Sequence, residues 1–317
     1  MFILKSRFYD ETRMKDRKSF ALLVIASLIW GTSFPAVEFG LKAGLNFYLI
    51  FLLRYLIGAF GALIIVLALK RAHLFLSLFK NRLAVLLGGL NALASILGTY
   101  GQIYTASGKA ALLLNINFIY VAILSVLIFK GKEKLDKYRI VGIILGVFGA
   151  YFLTIGFNFQ QLFMGSLLGD LMILLSGFVW AIFIVLSKEV LDNKEPSKSI
   201  DPIDLNNSVI CTSVLFGLIP FLFLIFIDPS VYVMPGDFVS WLVIINLGLP
   251  CTTIAYILYN KGLARMSPIV VSIISLIEVL TATALGIIFL PNKFYFSIDF
   301  IIGACLIIGA IIISSLK

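Results

Sequence analysis

Two ionisable residues stand inside apolar stretches that would otherwise exclude them. Glu278 lies ten residues into the stretch 268-290, and Arg54 eight residues into the stretch 46-69. At 1.5 Å per helical residue, Glu278 is ~15 Å from the nearer end, close to the middle of a ~30 Å hydrocarbon layer. A charge at that depth costs ~3 kcal/mol, so the carboxyl must face a cavity or a partner, or carry a proton. Two roles fit it. One is a proton-coupling or cation-recognising acid; the other is a structural acid held by Ser or Thr hydroxyls. Arg54 is ~12 Å from its outer end, and its long stem can reach toward the interface. It suits a carboxylate ligand, and equally snorkelling or a fixed structural pair. Glu38, near the outer end of the first stretch, is its expected partner by depth.

Softer candidates surround these two. Trp30, Tyr100, Tyr104, Tyr120, Trp180, Tyr256 and Tyr259 have apolar bodies and polar tips, which suit a cavity for organic solutes. Interfacial anchoring is the competing role, strongest for Tyr104 and Tyr259 at helix ends. Asn91, Gln102, Asn115 and Asn117 are candidates for a polar lining or for hydrogen bonds between helices. Asn115 and Asn117 are two apart, so they point to different faces. Pro35, Pro220 and Pro250 can kink their helices. Pro35 and Pro250 are the gate or hinge candidates, with a static kink as the alternative.

The elements that must position these residues are ten apolar stretches: 19-40, 46-69, 83-105, 109-129, 140-157, 166-187, 207-227, 238-259, 268-290 and 298-316. Each approaches the ~20 residues a helix needs to span a bilayer. Inside lipid, helices satisfy their own backbone groups. Barrel strands would be about half this length and would alternate polar with apolar. The chain is 61% hydrophobic and 13% charged, against about 25% charged in a soluble domain. The fold class expected is therefore all-α and integral to a membrane, with ten transmembrane helices.

Basic residues set the orientation. With the N-terminus inside, 21 of the 25 Lys and Arg fall in inside segments. Lys42, Lys109 and Lys293 alone lie outside, and Arg54 is within a helix. The positive-inside rule then puts both termini in the cytoplasm of a multi-pass protein of the cell membrane. The net charge of +9 is thus a topology signal, with anionic lipid as its natural contact; nucleic acid is not expected as a partner. Residues 1-18 read as a solvated or surface-lying tail, with no cleavable signal. Cys211, Cys251 and Cys305 sit in apolar stretches and read as small packing residues.

The chain repeats itself weakly. Leu28-Ile29-Trp30-Gly31 matches Phe178-Val179-Trp180-Ala181, and Gln102-Ile103-Tyr104 matches Ile257-Leu258-Tyr259. Gly142 and Gly149 of the fifth stretch match, and are expected to face, Gly303 and Gly309 of the tenth. Two five-helix halves, 19-157 and 166-316, would enter the membrane from opposite sides and form inverted repeats, a frequent arrangement in secondary transporters.

These residues resemble a known family. Leu28-Ile29-Trp30-Gly31-Thr32-Ser33-Phe34, Leu53-Arg54-Tyr55-Leu56, Tyr104-Thr105-Ala106-Ser107-Gly108-Lys109-Ala110-Ala111, Glu133-Lys134-Leu135 and the glycines Gly142, Gly146 and Gly149 look like the EamA type of the drug/metabolite transporter superfamily. In the second half, Leu258-Tyr259-Asn260-Lys261-Gly262-Leu263-Ala264-Arg265 and Ser267-Pro268 look like the matching approach to the ninth helix. The resemblance implies a ten-helix permease in which helices one to four and six to nine surround a substrate cavity, with five and ten at the side. It implies substrates such as amino acids, related metabolites, nucleobases or drugs, and export in many members. Asn117-Phe118-Ile119 stands where the family often has a proline, and Glu278-Val279 where it often has Glu-Pro. Pro291-Asn292-Lys293 replaces a short acidic motif. Helix bending near the cavity is thereby left without its usual prolines.

Other classes are less well supported. His73, the single histidine, lies in a basic loop, and no His-Glu-x-x-His, Gly-x-Ser-x-Gly or Walker pattern occurs. The expected function is secondary transport of a small organic metabolite by alternating access, with a passive facilitator or channel as the alternative. The expected partners are that small-molecule substrate, the lipid bilayer, and a proton or other coupling ion. No enzyme activity, cofactor or metal is expected, and the chain is expected to be a monomer or weak dimer.

Overall fold

In the computed structural model, residues 2-71, 81-130, 133, 135-163, 166-192, 200-227, 232-289 and 297-316 are described, with side chains from Arg17 onward apart from Gln161 and Leu162. His73 and Pro291-Asn292-Lys293 lie outside the described residues. The described residues are helical, with no strand among them.

Nine helical spans among them are long and apolar enough to cross a membrane: Arg17–Lys42, Phe47–Ala68, Arg82–Gly101, Ser107–Phe129, Lys137–Thr154, Leu167–Leu191, Pro202–Ile227, Phe238–Leu263 and Pro268–Phe289. Ile298–Ser314 is a shorter apolar helix. These are called the first to tenth spans below. The helix of the first span runs back to Phe2, so the expected tail has a helical backbone continuous with the span.

Local chemistry starts the spans where the sequence offers a cap. Asn46 accepts from the Tyr48 N–H at 2.9 Å, Asn81 from Leu83 at 2.9 Å, Asp136 from Arg139 at 2.9 Å and Asp237 from Ser240 at 2.9 Å. Each bond satisfies an N–H that the first helical turn leaves free.

Four spans are not regular helices. The first breaks at Thr32, between Phe2–Gly31 and Ser33–Lys42. Pro35 supplies no N–H to the Gly31 carbonyl, which accounts for a break one turn earlier. The fourth breaks at Ile116, between Ser107–Asn115 and Asn117–Phe129. The ninth breaks after Ile274 and resumes at Ile277. No proline stands at either of these two. Three-residue hydrogen bonds replace four-residue ones there, from Ile119 N–H to Ile116 and from Glu278 N–H to Ser275, a 3₁₀ tightening. Bending is therefore present without the prolines the family often carries. The eighth span holds a π segment, Leu249–Ile254, that contains Pro250. Pro220 lies inside a seventh helix that continues through it.

Packing runs mainly between the two halves of the chain. The third span packs on the sixth and seventh, the eighth on the first and second, the fourth on the sixth, and the ninth on the first. The fifth lies along the tenth. Their closest approach is Gly149 to Gly303, where a Cβ on Gly303 would stand 2.8 Å from both the Gly149 carbonyl oxygen and the Leu153 Cα. The other expected contacts differ. Gly142 meets Ala310 and Ser314, while Gly309 has only Leu145 nearby, at 3.9 Å. Cys251 is buried, Cys211 partly so, and Cys305 exposed, so Cys305 is not a packing residue.

The glycine contacts give a paired test on one helix. Gly303→Ala should destabilise the protein by ~1–3 kcal/mol, because only backbone could move aside, whereas Gly309→Ala should be close to neutral. Thermal midpoints of the two purified variants in detergent check this; equal midpoints would contradict the contact.

Candidate functional site

One cavity is lined by the first, second, third, fourth, sixth, eighth and ninth spans. It holds about 690 Å³ of empty space counting its open mouth. That suits a small solute. Most of its wall comes from the span halves farther from the N-terminus: Phe34 and Val37 late in the first, Ser95, Thr99 and Gln102 late in the third, Ala110 early in the fourth, and Ile173 and Ser176 early in the sixth.

Its floor is aromatic. Trp30 and Trp180, matched in the sequence as equivalent positions, meet edge to face with ring centroids 5.8 Å apart. Tyr256 packs 4.9 Å from Trp30 and 5.7 Å from Trp180, and Tyr259 lies 4.8 Å from Trp30. The edge-to-face contacts are the arrangement that aromatic quadrupoles favour. Tyr259 is fully buried, which corrects its reading as an interfacial anchor. The Trp30 Nε1–H donates to the Cys251 carbonyl at 2.7 Å, within the π segment. The wider i→i+5 turn there re-routes backbone bonds, and Trp30 takes one of the carbonyls concerned. The break at Thr32 is stitched to the same segment by a 3.4 Å contact of Thr32 Oγ1 with Cys251 Sγ, and to the helix before it by the Asn246 amide, which donates to Thr32 Oγ1 at 3.2 Å.

Arg54 is on the wall. Its Nε donates to Thr252 Oγ1 at 2.8 Å, and that hydroxyl donates to the Leu247 carbonyl at 2.7 Å. No carboxylate is within ion-pair distance of Arg54 among the described residues. Its expected partner Glu38 is engaged elsewhere: it pairs with Lys42 at 2.7 Å and accepts the Ser107 N–H at 2.8 Å. The reason is geometric. Ser107 opens the fourth span, and a helix N-terminus carries unsatisfied N–H groups and partial positive charge that attract a carboxylate.

Glu278 is also on the wall, in the first turn of the helix that resumes after the ninth span's break. It is 6% exposed, and the Asn115 side chain faces it. No cation is within ion-pair distance of it among the described residues. The acid and the guanidinium therefore share one cavity without neutralising each other.

The remaining candidates are off the wall. Asn91 is fully buried in a network that joins four spans. It donates to Tyr55 at 3.0 Å and Ser213 at 2.8 Å, and accepts from Tyr256 at 2.7 Å. Asn115 stands behind Glu278 at the fourth span's break. Tyr100 packs on Phe47 and Tyr104. Pro35 lies in the first span after its break, in Ser33–Lys42, and Pro250 in the π segment. Ser95, Thr99 and Ser176 are wall residues that the sequence reading passed over. The signal for two of them was a polar stripe, Asn91-Ser95-Thr99-Gln102, spaced to lie on one helical face.

A family model described as the EamA-like transporter family matches residues 17–155 and again 167–316. Uncharacterized transporter YoaV of Bacillus subtilis (strain 168) is 28% identical over 172 residues, 52% of this chain and 56% of that protein. The chain thus spans just over half the length of YoaV. Uncharacterized transporter YetK of the same organism is 26% identical over 270 residues, 84% of this chain and 77% of that protein. An uncharacterized transporter of Archaeoglobus fulgidus is 28% identical over 214 residues, 66% of this chain and 67% of that protein. A crystal structure described only as that of a protein superposes with a TM-score of 0.71 at 17% identity, covering 94% of this chain and 96% of that one. It shares the fold.

Asn91 bonds hydroxyls of three other spans, and without it the Tyr256 hydroxyl keeps only a 3.4 Å contact to Tyr55, beside a buried gap. Asn91→Ala should cost ~2–4 kcal/mol of stability, and Ser95→Ala, on the open wall, well under half of that. Thermal midpoints should separate the two; a midpoint for Asn91→Ala within one degree or so of the parent would contradict the network.

Proposed function

This chain belongs to the EamA-like transporter family, and on that footing we propose that it carries small zwitterionic metabolites, such as amino acids or related compounds, by alternating access. The observation that carries the reading is the pairing of Arg54 and Glu278 on one wall. Arg54 presents a planar donor set suited to a carboxylate, and Glu278 an acceptor suited to an ammonium. Trp30, Trp180 and Tyr256 supply apolar faces between them. Glu278 doubles as the site of proton coupling, and export is the working direction.

The architecture proposed is ten transmembrane helices as two inverted repeats, 19-157 and 166-316, after a cytoplasmic segment 1-18. Both termini face the cytoplasm of a cell-membrane protein. The helix pairing supports this: exchanging the first five spans for the last five maps third–sixth onto eighth–first, third–seventh onto eighth–second and fourth–sixth onto ninth–first. The meeting of Trp30 with Trp180 supports it too, since equivalent residues near a two-fold axis approach one another. On this reading the cavity opens outward, and Pro35 and Pro250 mark the segments that bend when it closes.

Solute counterflow in proteoliposomes tests the reading. Saturable exchange of an amino acid is expected. Arg54→Gln should weaken binding of the carboxylate substrate by ~1.5–3 kcal/mol, roughly ten- to a hundredfold, and leave the corresponding amine unaffected. Glu278→Gln should retain exchange and lose the response to a pH gradient. Equal pH responses in the two proteins would make Glu278 structural. Flux without counterflow would mark a passive facilitator.

A further inference from the structure

Beneath the aromatic floor, six side chains are buried with a polar atom that has no hydrogen-bond partner among the described residues: Ser187, Asn206, Asn207, Ser208, Tyr259 and Asn260. Each is at most 1% exposed. Asn206 and Asn207 leave both amide atoms unbonded. Native interiors hold a few such groups, scattered, whereas a cluster calls for water or for a second conformation that wets it.

Their placement chooses between scattered defects and a path. On the sixth span, the wall residues Ile173, Ser176 and Trp180 form a stripe of one helical face, and the next positions on that face are Ile184 and Ser187. On the eighth span, Tyr256 of the wall is followed one turn later by Asn260. Asn206, Asn207 and Ser208 stand in the first turns of the seventh span, at a depth matching Ser187 and Asn260 near the opposite termini of their helices. The cavity-facing stripes thus continue past the floor, toward the membrane side of the N-terminus, as a polar seam pressed shut. Lys188 closes its end, donating to the Leu263 carbonyl at 3.0 Å and pairing with Asp192 at 2.8 Å.

We propose that this seam, between the sixth, seventh and eighth spans, is the closed second half of the solute path. When the seam parts, water and then solute take up the unbonded groups. When it closes, those groups are stranded, which keeps the closed seam from being a trap. The charged residues Arg54 and Glu278 above the floor are not needed for this assignment. The inference does rest on the transport reading given above.

The test uses full-length protein in proteoliposomes. Ser187→Cys and Ser208→Cys are near-isosteric, so the fold is retained. A membrane-impermeant maleimide is applied from the side of the N-terminus, and counterflow is measured on the same vesicles. Labelling above the background of the unsubstituted chain is expected, rising about tenfold while solute exchanges, as the open population grows. No labelling at either position while exchange proceeds would overturn the seam and leave transport standing. Absence of exchange in the unsubstituted protein would instead remove the transport reading itself.

Asn207→Leu and Asn260→Leu give an independent check by sign. Apolar replacements of unbonded groups should raise the thermal midpoint and slow exchange roughly tenfold, because they favour the closed seam. A lowered midpoint with exchange unchanged would make these amides ordinary structural donors and overturn the assignment.

Discussion

A backbone carbonyl released in the middle of a bilayer finds no water, so another group of the protein must take it. Much of this structure follows from that. The π segment of the eighth span displaces regular backbone bonds, and the Trp30 indole takes the Cys251 carbonyl. That bond fixes Trp30 against Tyr256 and Tyr259, and Trp180 closes on them from the sixth span. The cavity has a floor because a helix irregularity in one half is repaired by a side chain from the other. At the first span's break, Thr32 and Ser33 bond the carbonyls of Ile29 and Trp30 at 2.7 and 2.6 Å, so the repair is spread over both helices that meet there.

The helices were legible in the sequence because lipid imposes length and hydropathy on each one separately. Boundaries such as 238-259 and 268-290 fall within a few residues of Phe238–Leu263 and Pro268–Phe289. The Trp30 and Trp180 match was legible as well, through the repeat. What the sequence could not convey is which charge meets which. Glu38 and Arg54 stand at similar depth, yet Glu38 turns to Lys42 on its own helix and to the N-terminus of the fourth span. The breaks at Ile116 and Ser275 were hidden for a related reason. They lack proline and arise from 3₁₀ bonds whose cause is tertiary.

The halves share a plan and differ in chemistry. Glu38 and Lys188 stand at equivalent places in the first and sixth spans. Glu38 meets the N-terminal end of a helix and Lys188 the C-terminal end of another, so each carries the sign that its helix dipole favours. Arg54 has no basic counterpart in the seventh span, where Asn206, Asn207 and Ser208 stand instead. One side of the aromatic floor thus holds Arg54 and Glu278 beside the cavity, and the other holds unbonded amides and hydroxyls that end at Lys188.

The pairing of spans across the halves also bears on how such a chain is made. The third span's neighbours are the sixth and seventh, and the fifth's is the tenth, so the first half emerges from the ribosome without the surfaces that will cover it. Gly149 has no Gly303 to meet until the last helix has been inserted. Until then Asn91 and Arg54 sit in lipid without Ser213, Tyr256 or Thr252, the groups that bond them in the finished protein. The nascent first half is therefore an insertion intermediate with exposed polar groups. It needs either speed of synthesis or an assisting protein at the membrane to hold it until the second half arrives.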